Sequence, residues 1–88
     1  MDPFQASFHY VYILRSVHHP EKTYIGYTRD LKTRIREHNL GYTTHTRKFR
    51  PWEVETAIAF SSKYKALAFE RYLKSHSGKA FTTKRLVS

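Results

Sequence analysis

The sequence contains no cysteine, so disulfide bonds, thiolate metal ligands and cysteine nucleophiles are excluded. A chain without cysteine fits a reducing compartment, and we expect a cytoplasmic protein. The sequence also lacks a long apolar run. Nothing near the start resembles a signal peptide, because Asp2 and Pro3 interrupt it. No segment approaches the roughly 20 apolar residues that cross a bilayer, so we expect no membrane association.

Acidic residues are scarce. Lysine and arginine number 16 against 7 aspartates and glutamates, which gives a formal net charge of +9 in 88 residues. This excess predicts a polyanionic partner. Because the basic residues are spread along the chain and interleaved with aromatic residues, nucleic acid is favoured over a membrane surface. The alternative is a soluble protein that is merely basic. The composition does not distinguish DNA from RNA.

The chain is long enough for one small domain, which buries about 60 to 65 per cent of its unfolded surface. We predict a loose N-terminal extension over residues 1–8 and a single domain over residues 9–88. Residues 9–15 and 23–28 are rich in β-branched and aromatic side chains, which predicts two strands joined as a hairpin. In the first strand, one face carries Val11 and Ile13. The other face carries Tyr10, Tyr12 and Leu14.

A helix is predicted from Leu31 to Leu40, because Asp30 is a favourable N-cap and Gly41 a favourable C-terminal stop. At 100° per residue, one stripe of this helix carries two apolar and two polar residues. These are Leu31, Arg34, Ile35 and His38. Two polar side chains therefore share the apolar face.

Residues 41–50 are polar and aperiodic, which predicts an exposed loop. Residues 52–60 alternate between apolar and polar side chains, which predicts a third strand with one dry face, an apolar face shielded from solvent. Residues 63–75 are predicted to form a helix capped by Ser61 or Ser62, and residues 79–88 a short final turn or helix. The dry face of the third strand consists of Trp52, Val54, Ile58 and Phe60. The predicted class is α+β, a three-stranded, mainly antiparallel sheet flanked by helices in the order β-β-α-β-α-(α).

Several short motifs occur in order along these elements. They are Tyr10-Val11-Tyr12, Tyr24-Ile25-Gly26, Arg34 followed one turn later by His38, and Glu70 on the later helix. In this combination the chain resembles the GIY-YIG nuclease superfamily, and specifically its small stand-alone bacterial members. Tyr10 replaces the usual first glycine. An asparagine frequent near the end of that domain has no obvious counterpart, and Thr82 or Thr83 lies nearest its place.

The resemblance implies a metal-dependent endonuclease that hydrolyses DNA phosphodiester bonds by attack of an activated water. It implies that Glu70 holds Mg²⁺ or Mn²⁺, and that Tyr24 activates or positions the water. The implied catalytic set is Tyr12, Tyr24, Arg34, His38 and Glu70.

The chemistry of these residue types suits those roles. Mg²⁺ keeps several waters and needs only one or two carboxylates, so a lone glutamate suffices. Arg34 offers a planar, permanently charged fork to phosphate oxygens. His38 can relay a proton or contact phosphate, and Tyr12 can share the water network. Gly26 leaves the strand open to an approaching backbone or substrate.

Structural interpretations stand beside these. Tyr12 is individually better explained as a core or cross-strand packing residue. Arg34 as a helix-surface base, His38 as a boundary histidine and Gly26 as the mark of a bulge are all possible. Glu70 as the partner of Lys74 at i,i+4 is another.

Contacts with nucleic acid are predicted for basic residues and one aromatic ring on the helix and the loop. They are Arg29, Arg36, Arg47, Lys48, Phe49 and Arg50. The alternative for residues 47–50 is a solvated loop. A nucleic-acid-binding module of the same fold with weak or no catalysis is the competing function. No recognition domain is appended, so we expect an accessory protein to supply sequence specificity.

Overall fold

The computed structural model describes residues 7–75. The predicted final turn over residues 79–88, and Thr82 and Thr83, lie outside this range, and the domain limits stay a prediction. The elements follow the expected order with one addition, the short helix α2. They are β1 His9–Ser16, β2 Thr23–Thr28, α1 Leu31–Leu40, α2 Thr44–Arg47, β3 Trp52–Phe60 and α3 Lys63–Lys74. Within residues 7–75, no helix has the length and apolar character that crossing a membrane requires.

Strand β1 lies at the centre of the sheet, which has the order β2-β1-β3 with both pairings antiparallel. Both faces of β1 are buried. Val11 and Ile13 pack with residues of α3, whereas Tyr12 and Leu14 pack with residues of α1. The α+β prediction is therefore confirmed, and one helix covers each face of the sheet.

The prediction of a single dry face on β3 was wrong. Leu14 pairs with Val54 and Ile13 with Thr56, so Glu55 is an extra residue that forms a bulge. Because side chains alternate with a period of two, one extra residue moves every later side chain to the opposite face. Trp52 consequently packs with Tyr12 and Leu14, whereas Phe60 packs against the cluster on the α3 face.

The helix caps follow the sequence. The Asp30 carboxylate accepts a hydrogen bond from the backbone N–H of Thr33 at 3.1 Å, and Gly41 has a φ of 83° at the end of α1. Only glycine adopts this left-handed conformation readily. At the start of α3, the Ser62 hydroxyl accepts from the backbone N–H of Lys65 at 3.3 Å. These residues fix both ends of α1 and the start of α3.

The segment between α1 and β3 is not the exposed loop that its polarity predicted. Its centre forms α2, and Thr46 is fully buried. The Trp52 indole N–H donates to the Thr46 carbonyl at 2.7 Å. The Asn39 side chain pairs with both backbone groups of Trp52, at 2.6 and 3.0 Å. Hydrogen bonds from Asn39 and Thr46 thus satisfy the polar groups of the buried Trp52. Hydrophobic periodicity does not predict these bonds.

Candidate active site

A buried network of polar side chains lies between β1 and α1. Tyr12 is 1% exposed and His38 0% exposed. The Tyr12 hydroxyl lies 2.8 Å from His38 Nε2, and His38 Nδ1 lies 2.8 Å from the Thr46 hydroxyl. The histidine on the apolar stripe of α1 therefore has both ring nitrogens engaged inside the protein.

Gly26 makes room for this network. It lies opposite Tyr12 in the β1–β2 ladder, and a Cβ at Gly26 would overlap the Tyr12 hydroxyl and Cζ. The β1–β2 register is continuous through Gly26, so the bulge interpretation was wrong. The space left by the missing side chain is filled by the Tyr12 phenol ring, which corrects our expectation that it admits substrate.

Tyr24 lies on the same face of the sheet and borders the network. Its ring centroid is 5.1 Å from that of His38 and 6.5 Å from that of Tyr12. Unlike Tyr12, Tyr24 is only half-buried. Of the two motif tyrosines, it is the one that retains contact with solvent.

Arg34 reaches the same network from α1. Its guanidinium is near enough to the Tyr12 hydroxyl to act against the rise in the pKa of that phenol, and Nη1 lies 3.1 Å from a carboxylate oxygen of Glu37. Burial opposes the charged form, but the bonds to Glu37 and Tyr12 outweigh it and raise the pKa of Arg34. The half-buried side chain is therefore a fixed cation, rather than a freely solvated base.

Glu70 approaches from α3, on the other layer of the fold. Its carboxylate lies 3.2 Å from Lys74 Nζ, so the predicted i,i+4 pair is present. The Glu70 side chain is 19% exposed, against 53% for Lys74. Glu70 is also near enough to Tyr12 for its negative charge to raise the pKa of that phenol. The Glu70 carboxylate thus forms the ion pair with Lys74 and also acts on Tyr12 through its charge.

Burial controls protonation at the centre of the site. It raises the pKa of Tyr12 to about 12, with the charge interactions of Tyr24 and Glu70 adding to this and the Arg34 hydrogen bond opposing it. Burial and then the charge of Arg34 lower the pKa of His38, and Glu37 opposes them. Near pH 7 the phenol is protonated and the imidazole is neutral. Full burial also closes His38 to direct contact with phosphate, whereas a proton relay through it stays a prediction.

The residues predicted to contact nucleic acid lie outside this network. Arg47 Nε donates to the Gly41 carbonyl at 3.1 Å. Phe49 is half-buried against the Trp52 cluster, with the ammonium groups of Lys22 and Lys48 at 5.2 and 5.5 Å from its ring centroid. Phe49 therefore has a packing role, and its stacking on a base stays a prediction. The exposed basic residues of the set are Arg29, Arg36, Arg47, Lys48 and Arg50.

The residues present fit a magnesium-like ion that takes a single carboxylate ligand from the protein. Within residues 7–75, no group of three or more histidine, aspartate or glutamate side chains converges on one point. Glu70 is the carboxylate whose charge acts on Tyr12, and its partner Lys74 is exposed enough to move away. A single carboxylate suits Mg²⁺ when waters and substrate phosphate oxygens complete the shell.

Sequence reasoning missed two residues of the site. Thr46 lies eight positions after His38 in a stretch without periodicity, and no sequence signal singles it out. Glu37 lies three positions after Arg34 on the same helix, a spacing that brings side chains together and predicts the observed ion pair.

Comparisons with known proteins agree with this geometry. The GIY-YIG catalytic domain model matches residues 8–85. A UPF0213 protein of Haloquadratum walsbyi is 37% identical over 71 residues, which cover 80% of this chain and 78% of that protein. The solution NMR structure of a UPF0213 protein from Bacillus halodurans covers 92% of this chain and 87% of its own, with 32% identity and a TM-score of 0.55.

A longer relative is the structure-specific endonuclease subunit SLX1 of Candida dubliniensis, 43% identical over 75 residues. The match covers 77% of this chain but only 26% of that protein, so the chain spans about a quarter of that relative's length. The family model covers nearly the whole chain, and the motif tyrosines, Arg34 and Glu70 lie in one neighbourhood. The chain therefore belongs to the GIY-YIG family, as its motifs predicted.

Proposed function

We propose that this chain is a divalent-metal-dependent endonuclease that hydrolyses DNA phosphodiester bonds by attack of an activated water. One observation carries the proposal: the buried Tyr12 hydroxyl lies 2.8 Å from His38 Nε2 and within reach of the charges of Arg34 and Glu70, which come from opposite layers of the fold. A fixed cation can neutralise the charge that develops on a phosphate, and a carboxylate can hold a metal ion, so this combination suits phosphoryl transfer. Family membership and the name of the Candida relative support the same reaction.

Each side chain takes a role that its surroundings allow. Arg34 remains charged at all relevant pH values and neutralises non-bridging phosphate oxygens. Tyr24, half-exposed beside His38, orients the attacking water. The water oxygen attacks phosphorus and releases a proton to solvent, the bond from phosphorus to the departing sugar oxygen breaks, and that oxygen takes a proton from solvent. The configuration at phosphorus inverts. Tyr12 and His38, both neutral near pH 7, hold the hydrogen-bond framework behind that water.

Glu70 would hold Mg²⁺ or Mn²⁺ together with waters and substrate oxygens. Such an ion supplies positive charge at the phosphate and lowers the pKa of water. For Glu70 to do this, its ion pair with Lys74 must open. Because exposed pairs of this kind contribute only about 0 to 1 kcal/mol, opening the pair costs little.

The rest of the basic surface would bind the DNA backbone. Positive charge comes from Arg29, Arg36 and the exposed basic side chains of residues 47–50. These would contact phosphates and not the edges of the nucleobases, so affinity for DNA should depend on salt more than on sequence. Specificity for a substrate would then come from an accessory protein. The Candida relative is named as a subunit, which fits such an arrangement.

A second candidate is a nucleic-acid-binding module that keeps the fold with weak or no catalysis. The observation that favours it is the Glu70–Lys74 pair, because a carboxylate already neutralised by lysine binds a metal ion less readily. The two candidates make different predictions for one assay.

The assay incubates the purified chain with supercoiled and branched DNA in Mg²⁺, Mn²⁺ or EDTA. The variants are Glu70→Gln, which keeps the side-chain shape, and Arg34→Ala, with Glu53→Gln as a control because Glu53 is exposed on β3. We expect metal-dependent cleavage by the parent and the control. Each site variant should lose on the order of 100-fold in rate, the scale of removing one transition-state contact.

Cleavage that survives both site substitutions would contradict the assigned site. DNA binding by the parent without any metal-dependent cleavage would favour the binding module. A competition between DNA and RNA of matched sequence decides which nucleic acid is the substrate.

A further inference from the structure

The Thr46 hydroxyl lies at the inner end of the buried network. Thr46 is fully buried on α2, 2.8 Å from His38 Nδ1 and 3.4 Å from the Thr43 carbonyl. The hydroxyl has one proton and can donate it only once. Its position is fixed from outside the network, because the Trp52 indole N–H donates to the Thr46 carbonyl at 2.7 Å.

The direction of the hydrogen bonds follows from the groups at the two ends. The Thr46 hydroxyl donates its single proton to the Thr43 carbonyl, so its oxygen accepts from His38 Nδ1. The single Tyr12 proton is then free to go to His38 Nε2. With Nε2 as acceptor, a neutral imidazole carries its proton on Nδ1 and donates to Thr46, which donates to the Thr43 carbonyl.

The opposite direction leaves one group without a partner. If Thr46 donated to Nδ1, the proton on Nε2 would point at the Tyr12 oxygen. The Tyr12 proton would then have no acceptor among residues 7–75, where His38 Nε2 is the hydrogen-bond partner of that hydroxyl. Leaving a buried polar group without a partner is unfavourable. The hydrogen bonds from Tyr12 to Thr43 therefore run in one direction.

We propose that Thr46 is a positioning residue that holds His38 in the Nδ1–H tautomer. The inference rests on the proposed nuclease function and extends it beyond the motif residues. By receiving the Nδ1 proton, Thr46 keeps Nε2 as the acceptor of the Tyr12 proton. The lone pairs of the Tyr12 oxygen then remain available to the positive charge of Arg34. Thr46 itself touches no substrate.

The tautomer can be measured without any activity. Long-range ¹H–¹⁵N correlation on histidine-labelled protein distinguishes the protonated ring nitrogen from the bare one, and a His38→Gln variant assigns the signals. We expect Nδ1 of His38 to carry the proton in the parent protein. A proton on Nε2 would overturn the proposal whatever the variants do.

Variants then test the role of the hydroxyl. Thr46→Val keeps the shape and removes the acceptor, Thr46→Ser keeps the hydroxyl, and Thr44→Val is the control because Thr44 is exposed on the same short helix. The loss of one neutral hydrogen bond corresponds to roughly 2- to 10-fold in rate. We expect a loss of that size in kcat for Thr46→Val, with KM for DNA unchanged and the Nδ1–H signal weakened. Thr46→Ser should restore both, and Thr44→Val should change neither.

The outcomes separate this inference from the nuclease proposal. A parent chain that does not cleave DNA would refute the nuclease proposal, while the tautomer and its loss in Thr46→Val would still support the role of Thr46. Full cleavage by a folded Thr46→Val would overturn the inference and leave the nuclease proposal standing. If Thr46→Val fails to fold, Thr46→Ser and the spectrum of the parent decide.

Discussion

Gly26→Ala tests the packing at the centre of the site. Gly26 has an ordinary strand conformation, since the positive φ within residues 7–75 belongs to Gly41. Chain entropy alone would then make the substitution stabilising by roughly 0.4 to 1 kcal/mol. The structure predicts that Gly26→Ala destabilises the fold instead, because the new Cβ would overlap the Tyr12 hydroxyl and Cζ.

The expected magnitude comes from overpacking. Extra atoms forced into a well-packed core typically cost about 1 to 3 kcal/mol. Tyr12 is 1% exposed, and its hydroxyl bonds to His38 at 2.8 Å, so the ring cannot move aside freely. Losing that bond adds about 0.5 to 1.5 kcal/mol. After the entropic gain, we expect a net destabilisation of about 1 to 4 kcal/mol.

Urea unfolding measures this change. With a slope near 1 kcal/mol/M, at the low end for small proteins, the midpoint should fall by roughly 1 to 4 M. Tyr12→Leu removes the atoms that the new methyl group would meet, so Gly26→Ala should be neutral or stabilising in that background. Equal destabilisation by Gly26→Ala with and without the Tyr12 ring would refute the packing argument, and so would stabilisation of the parent.

Two further predictions concern buried polar groups. Since the folded state lowers the pKa of His38, the unfolded chain binds more protons as pH falls through about 6.5. The stability is therefore present above that pH and lost below it. His38→Gln should flatten this pH dependence of the free energy of unfolding in urea titrations, whereas His45→Gln, on the exposed side of α2, should leave it unchanged. Asn39→Ala should cost about 1 to 3 kcal/mol in thermal unfolding, because it leaves both backbone groups of Trp52 without the side chain that pairs with them; a loss below 0.5 kcal/mol would mean that water replaces the amide.

Local signals predicted most of the fold. Asp30 and Gly41 bound α1 because a carboxylate cap and a left-handed glycine act within a few residues. The bulge at Glu55 was not predictable in this way. It is a property of the pairing between β1 and β3, and the alternation of β3 alone continues through it.

Local sequence signals predicted some residues of the site and missed others. Arg34 and His38 were recognised because a helix face and a motif bring them together. Thr46 was missed, because its burial depends on a four-residue helix that Trp52 and Asn39 hold in place. The charge interaction between Glu70 and Tyr12 could not be predicted from the sequence either, since α3 packs on the face of the sheet opposite to Tyr12.

The central claim is that Glu70, Arg34 and Tyr24 act on one phosphate. A crystal structure with Mn²⁺ and an uncleaved DNA tests this most directly, since anomalous scattering locates the ion. The account predicts a Mn²⁺ ion bound by a Glu70 oxygen, with Lys74 turned away and the scissile phosphate in contact with Arg34 and near Tyr24. An ion bound elsewhere, with Glu70 still paired to Lys74 and the phosphate distant from Arg34, would contradict it.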